Sequence, residues 1–165
     1  MRDDILVVGY GNALRTDDGV GRHAAERIAA DERLNDAAVL QRHQLTPELA
    51  LDISAVRLVV FIDASRDLPP GSVDVGRMER TDVSGSTSSH HLNPPVLVAL
   101  AHELYGRAPA AYVVRCGVAS VELGDRLTPV VEAALATVID AVVGLVGLIT
   151  ARATELEPIA ARTAS

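Results

Sequence analysis

Two adjacent carboxylates, Asp17 and Asp18, stand in a glycine-rich run, GYGNALRTDDGVG, that follows a short apolar segment. A third, Asp63, comes directly after the apolar run LVVFI, and two imidazoles, His90 and His91, sit together in a Ser/Thr-rich stretch. Two carboxylates and an imidazole brought to one point can hold a metal ion with coordination positions left open, or can exchange protons as an acid–base cluster. Imidazole suits nickel and zinc, whereas carboxylates are harder ligands. Side-by-side carboxylates also repel, which raises the pKa of one unless a cation lies between them. Each group has a plainer reading too. Asp17 and Asp18 precede a helical pattern, where a helix N-terminus welcomes negative charge and a capping oxygen. A His pair among serines is, by type, a solvated surface feature, and His23, His43 and His102 read as structural or solvent-facing. Asp63 is harder to set aside, because a carboxylate after LVVFI is poorly solvated unless its strand ends in a cleft.

Bringing these groups together is the task of the elements between them. Residues 5–8 form a β-branched run with no alternation, the pattern of a parallel strand covered on both faces. The glycine-rich turn follows, and residues 20–30 place apolar side chains at helical spacing. Val39 and Leu40 suggest a second, weaker strand, and Thr46-Pro47-Glu48 is a helix start. The clearest strand is residues 58–62, ending at Asp63. After the turn Pro69-Pro70-Gly71, residues 72–78 alternate like an edge strand, and residues 81–89 are polar and rich in Gly, Ser and Thr. Asn93-Pro94-Pro95 opens a helix to about residue 105, residues 110–114 form another strand, and Thr128-Pro129 starts a long final helix. Strands alternating with helices predict a three-layer α/β sandwich, with a mostly parallel central sheet of about five strands and helices on both faces. One domain over residues 1–152 and a loosely ordered tail over 153–165 are expected. In such sheets functional residues gather at the carboxyl ends of the strands, which is where Asp18 and Asp63 fall.

Composition removes several function classes. A net charge of -7 and a pI near 5.1 leave no basic surface for a nucleic acid. Cys116 is the one cysteine among 165 residues, so neither an internal disulfide nor a thiolate metal cluster is available, and a reducing cytoplasm is the expected setting. Its place after an apolar strand marks it as a buried structural thiol. Residues 133–150 approach membrane-spanning length, yet Asp140 near the middle, small-residue breaks and missing basic flanks predict a buried helix and no membrane partner. Gly9 and Gly11 match the first two positions of a dinucleotide fingerprint, but Leu14 takes the third, and two aspartates would repel a pyrophosphate at the following helix. No P-loop lysine and no G-x-S-x-G elbow is present.

With these residues laid out, the sequence resembles the hydrogenase maturation endopeptidases. GYGNALRTDDGVG, residues 9–21, looks like that family's N-terminal pattern G-x-G-N-x-L-x-x-D-[DE]-G-x-G. VVFIDA around Asp63 resembles the segment of its second metal-binding carboxylate, SSHHLNPPVLVAL its histidine segment, and ELGDRLTP at residues 122–129 its closing stretch. The resemblance spans about residues 4–148. It puts the family's metal-binding carboxylates at Asp18 and Asp63 and its histidine at His90, which precedes Leu92 by two residues as the family histidine precedes its leucine; the adjacent His91 is the other candidate. Many relatives carry Glu where this chain has the shorter Asp18. The resemblance implies a cytoplasmic endopeptidase that removes the C-terminal extension from the precursor of a nickel–iron hydrogenase large subunit after nickel loading. It implies that the nickel is borne by the substrate and touched by these three side chains, with cadmium or zinc able to take its place in vitro. Asp18 and Asp63 are expected to serve catalysis as well. Two rivals remain at this point: a non-enzymatic α/β module binding a nucleotide or other small ligand at the glycine turn, and a protease of the same fold with a different substrate.

Overall fold

A computed structural model describes residues 4–79 and 92–155. Among these residues five strands form one sheet: β1 (Ile5–Tyr10), β2 (Ala37–Arg42), β3 (Leu58–Ser65), β4 (Val73–Met78) and β5 (Ala110–Gly117). Their spatial order is β2-β1-β3-β5-β4, with all neighbours parallel except the antiparallel edge pair β4–β5. Among the described residues four α-helices cover it: α1 (Val20–Ala29), α2 (Leu49–Ser54), α3 (Pro94–Tyr105) and α4 (Pro129–Glu155). The expected three-layer α/β sandwich is therefore the observed fold.

The unalternating strands divide their side chains between two cores, as a pleat with period two requires. Val7, Leu58, Val60 and Ile62 pack under α1 and α4, whereas Leu6, Val8, Val59 and Phe61 pack under α2 and α3. Along α4 the buried stripe runs Val131, Leu135, Val138, Val142 and Leu145, at helical spacing. By length and composition α4 could cross a bilayer, but that stripe is spent on the sheet. The helix continues to Glu155; residues 156–165 lie outside the described part. Asn93 caps α3 by accepting from the Val96 N–H at 3.0 Å, with prolines in the first turn, as the sequence predicts.

Two local differences from the expected elements matter for the site. Asp17 and Asp18 lie in a 3-10 turn, Thr16–Gly19, ahead of α1, and no side chain caps α1. Capping of that helix is thus not their role. β3 runs two residues past Asp63, because β5 continues beside it and pairs Ala64 and Ser65 with Cys116 and Gly117. On its other flank, β1 accompanies β3 only as far as Ile62. The chain leaves β1 through Gly11, whose φ of +143° suits glycine, and so a crevice opens between β1 and β3 at the level of Asp63. Gly21 lets α1 rest against that crevice: a Cβ there would stand 2.4 Å from the Ile62 carbonyl oxygen.

Candidate active site

The crevice lies where the strand order reverses, with β2 on one side of β1 and β3 on the other. This is the position at which open α/β sheets bind ligands. It widens into a cleft of about 500 Å³. Tyr10 and Gly11 enter from the end of β1, Asp63 from β3, Asp18 from the 3-10 turn, residues 43–47 from the loop between β2 and α2, and Leu92 from the approach to α3. Asp63 shares the pleat face of Val59 and Phe61, and Tyr10 that of Leu6 and Val8, so both side chains leave the sheet on the α2/α3 side.

The electrostatics separate the three aspartates. Burial pushes the Asp63 carboxyl above its ordinary range. A hydrogen bond with the Tyr10 phenol and one from the Ala64 N–H pull the other way, while Asp18 adds like-charge repulsion. Arg115, opposite Asp63 in the ladder, contributes least to this balance; its guanidinium is paired with Asp74 on β4. Tyr10 is itself raised, first by burial and then by the Asp63 charge. Asp18 accepts a 2.8 Å hydrogen bond from the Asn12 N–H, which fixes it at the cleft.

Asp17 points the opposite way and is fully buried. It accepts from the N–H groups of Thr128, Ala119 and Ser120 at 2.8, 2.9 and 3.1 Å and from the Thr128 hydroxyl at 2.7 Å. Burial alone would raise this carboxyl, but those donors together outweigh it and hold it below its usual value. Asp17 fastens the glycine-rich turn to the loop that enters α4, and the bond from Gly124 N–H to the Leu14 carbonyl, 3.0 Å, adds a second tie.

Asp18 and Asp63, the two carboxylates singled out in the sequence, line the same cleft. His90 and His91 lie outside the described residues. The Asn12 N–H that a phosphate would seek is occupied by Asp18, which disfavours a nucleotide at this turn. His43, expected to be structural or solvent-facing, is exposed and also lines the cleft, a position not expected for it. It follows β2 directly, so the strand-end rule that marks Asp63 marks it as well. The signal was missed because only Val39 and Leu40 announce β2, leaving its end unfixed. Cys116 is fully buried, and that burial raises its thiol pKa, in keeping with the buried structural thiol expected of it.

No protein-family model and no curated protein matches the sequence. Solved structures do. The hydrogenase maturating endopeptidase HybD from E. coli superposes with a TM-score of 0.68 at 26% identity, covering 84% of this chain and 89% of that one. The solution structure of an endopeptidase from Escherichia coli gives 0.67 at 26% identity, over the same shares. In fold, and at 26% identity in sequence, the chain is similar to hydrogenase maturation endopeptidases. A hydrogenase 2 maturation peptidase from a Thaumarchaeota archaeon shares the fold, with a TM-score of 0.68 at 24% identity over 88% of this chain and 99% of that one. In this chain, the cleft at the β1/β3 crevice is lined by two acidic side chains, Asp18 and Asp63.

Proposed function

We propose that this protein removes a C-terminal extension from the nickel-loaded precursor of a nickel–iron hydrogenase large subunit in the cytoplasm, with Asp18, Asp63 and His90 contacting the nickel that the substrate carries. The observation behind this reading is the convergence of Asp18 and Asp63 on one cleft at the β1/β3 crevice. Leu92, two residues beyond His90, lines the same cleft. Among the described residues, no group of three His, Cys, Asp or Glu side chains could hold a metal ion. Two carboxylates alone retain a metal poorly but can add to the coordination of one already held by a partner's thiolates. Selectivity follows, because a precursor without nickel lacks that contact.

The chain's own residues supply the proton chemistry. Asp63, which burial makes more retentive of a proton than a solvated aspartate, is suited to take the proton from the attacking water and pass it to the leaving amine. Water oxygen bonds to the scissile carbonyl carbon, the C–N bond breaks, and the new amine keeps the transferred proton. Tyr10 holds Asp63 in place, and Asp18 is fixed through the Asn12 N–H. When present on the substrate, nickel would polarise neighbouring groups as a Lewis acid.

The test is cleavage of matched precursors. Purified protein is incubated with nickel-loaded and nickel-free large-subunit precursor, and the mass of the large subunit is followed. Shortening of the loaded form alone is expected; equal cleavage of both, or of neither, overturns the proposal.

A further inference from the structure

One wall of the cleft is a single stretch of chain, residues 43–47, reading His-Gln-Leu-Thr-Pro. Most of that stretch has a structural task. The Arg42 carbonyl at its start accepts from the Gly11 N–H at 3.1 Å, which ties the loop to the end of β1. Leu45 is buried in the core beneath α2. The carbonyls of Thr46 and Pro47 accept from the N–H groups of Leu49 and Ala50 at 3.1 and 3.0 Å, running the loop into α2. His43 and Gln44 are different. Both are exposed, and among the described residues neither side chain has a hydrogen-bond partner. A wall held at both ends therefore offers two polar side chains that no described residue engages.

A peptide in this cleft needs donors as well as acceptors. Ionised carboxylates only accept, and the Tyr10 phenol is engaged with Asp63. Among the described residues, the floor can thus receive peptide N–H groups but leaves peptide carbonyls unmatched. A glutamine amide presents two donors and an acceptor, and a neutral imidazole one of each, the set that a peptide group requires. Unmatched carbonyls in a cleft forfeit their water bonds without replacement, so the donors beside them set affinity.

We infer that His43 and Gln44 are substrate-binding residues of the endopeptidase, holding the main chain of the precursor's scissile segment against Asp18 and Asp63. This rests on the proposed processing activity and names the part of the protein that grips the peptide. The grip acts on main-chain groups, so it tolerates differing side chains in the substrate while fixing the depth to which the segment enters. Recognition is then divided: the acidic floor reads the metal, and the loop wall holds the peptide.

The experiment uses the full chain and nickel-loaded hydrogenase large-subunit precursor. His43→Ala combined with Gln44→Ala is compared with the unaltered protein in steady-state processing, and both are repeated in an Asp63→Asn background to measure precursor binding without cleavage. The double change is expected to raise KM and the dissociation constant about tenfold, the cost of roughly two net hydrogen bonds. His43→Leu with Gln44→Met, which keeps side-chain volume and removes the donors, is expected to do the same. Unchanged affinity in either pair, or a loss confined to kcat, overturns the inference while leaving the activity standing. No cleavage by the unaltered protein removes both readings.

Discussion

Beneath the glycine-rich turn, Asp17 is fully buried against four donors; in the crevice above, Asp63 meets one phenol, one N–H and the charge of Asp18. Both carboxyls are shielded, yet their proton affinities move in opposite directions, down for Asp17 and up for Asp63. The first region converts a buried charge into cohesion between two loops. The second keeps a shielded charge incompletely satisfied, which costs stability and leaves a group ready to bind or to take a proton. Adjacent residues in one acidic pair, Asp17 and Asp18, are thereby split between these regions.

The largest effect is expected at the second region. Asp63→Asn should lower precursor processing by about 100-fold or more, the scale of losing a general base, in a single-turnover assay. The same variant should keep or raise its Tm at neutral pH. A carboxyl whose folded pKa is raised stabilises the fold below its unfolded pKa and loses that contribution as pH rises through the folded value, so its charge is a burden at pH 7. A marked fall in Tm would erase the contrast with Asp17.

At the first region, Asp17→Ala should cost about 3 kcal/mol or more by stranding buried N–H groups. For a domain of this size that is a Tm lower by about 6–12 °C, read by calorimetry. The pH dependence sharpens the same point. With its folded pKa lowered, Asp17 contributes stability above the unfolded value of 3.8, and this is lost as pH falls through the folded value. Acid titration of Tm should show a loss below about pH 4 that is reduced in Asp17→Asn. The smallest effect belongs to Tyr10→Phe: removing a hydrogen bond that lowers the Asp63 pKa should move the acid limb of the pH–activity profile to higher pH.

Much of this contrast was legible before any coordinates, and some was not. LVVFI revealed β3 and placed Asp63 near the strand end, where it lines the cleft, because an uninterrupted β-branched and aromatic run has few other uses. The acidic pair was legible as a pair but not as two separate tasks. Asp17's partners, Ala119, Ser120 and Thr128, lie more than 100 residues away, and no local pattern announces a bond across that distance. The end of β3 was misjudged for a related reason: its last residues are held by β5 and carry no apolar signal of their own. His43 escaped because β2, a half-buried edge strand, writes only a faint pattern.

The central claim is that Asp18, Asp63 and His90 reach one ion. Crystals of the protein soaked in cadmium, with anomalous scattering recorded, test it most directly. The account predicts a peak within coordination distance of an oxygen from Asp18, an oxygen from Asp63 and a ring nitrogen of His90. A peak that omits either aspartate, or no peak in the β1/β3 crevice, would contradict it.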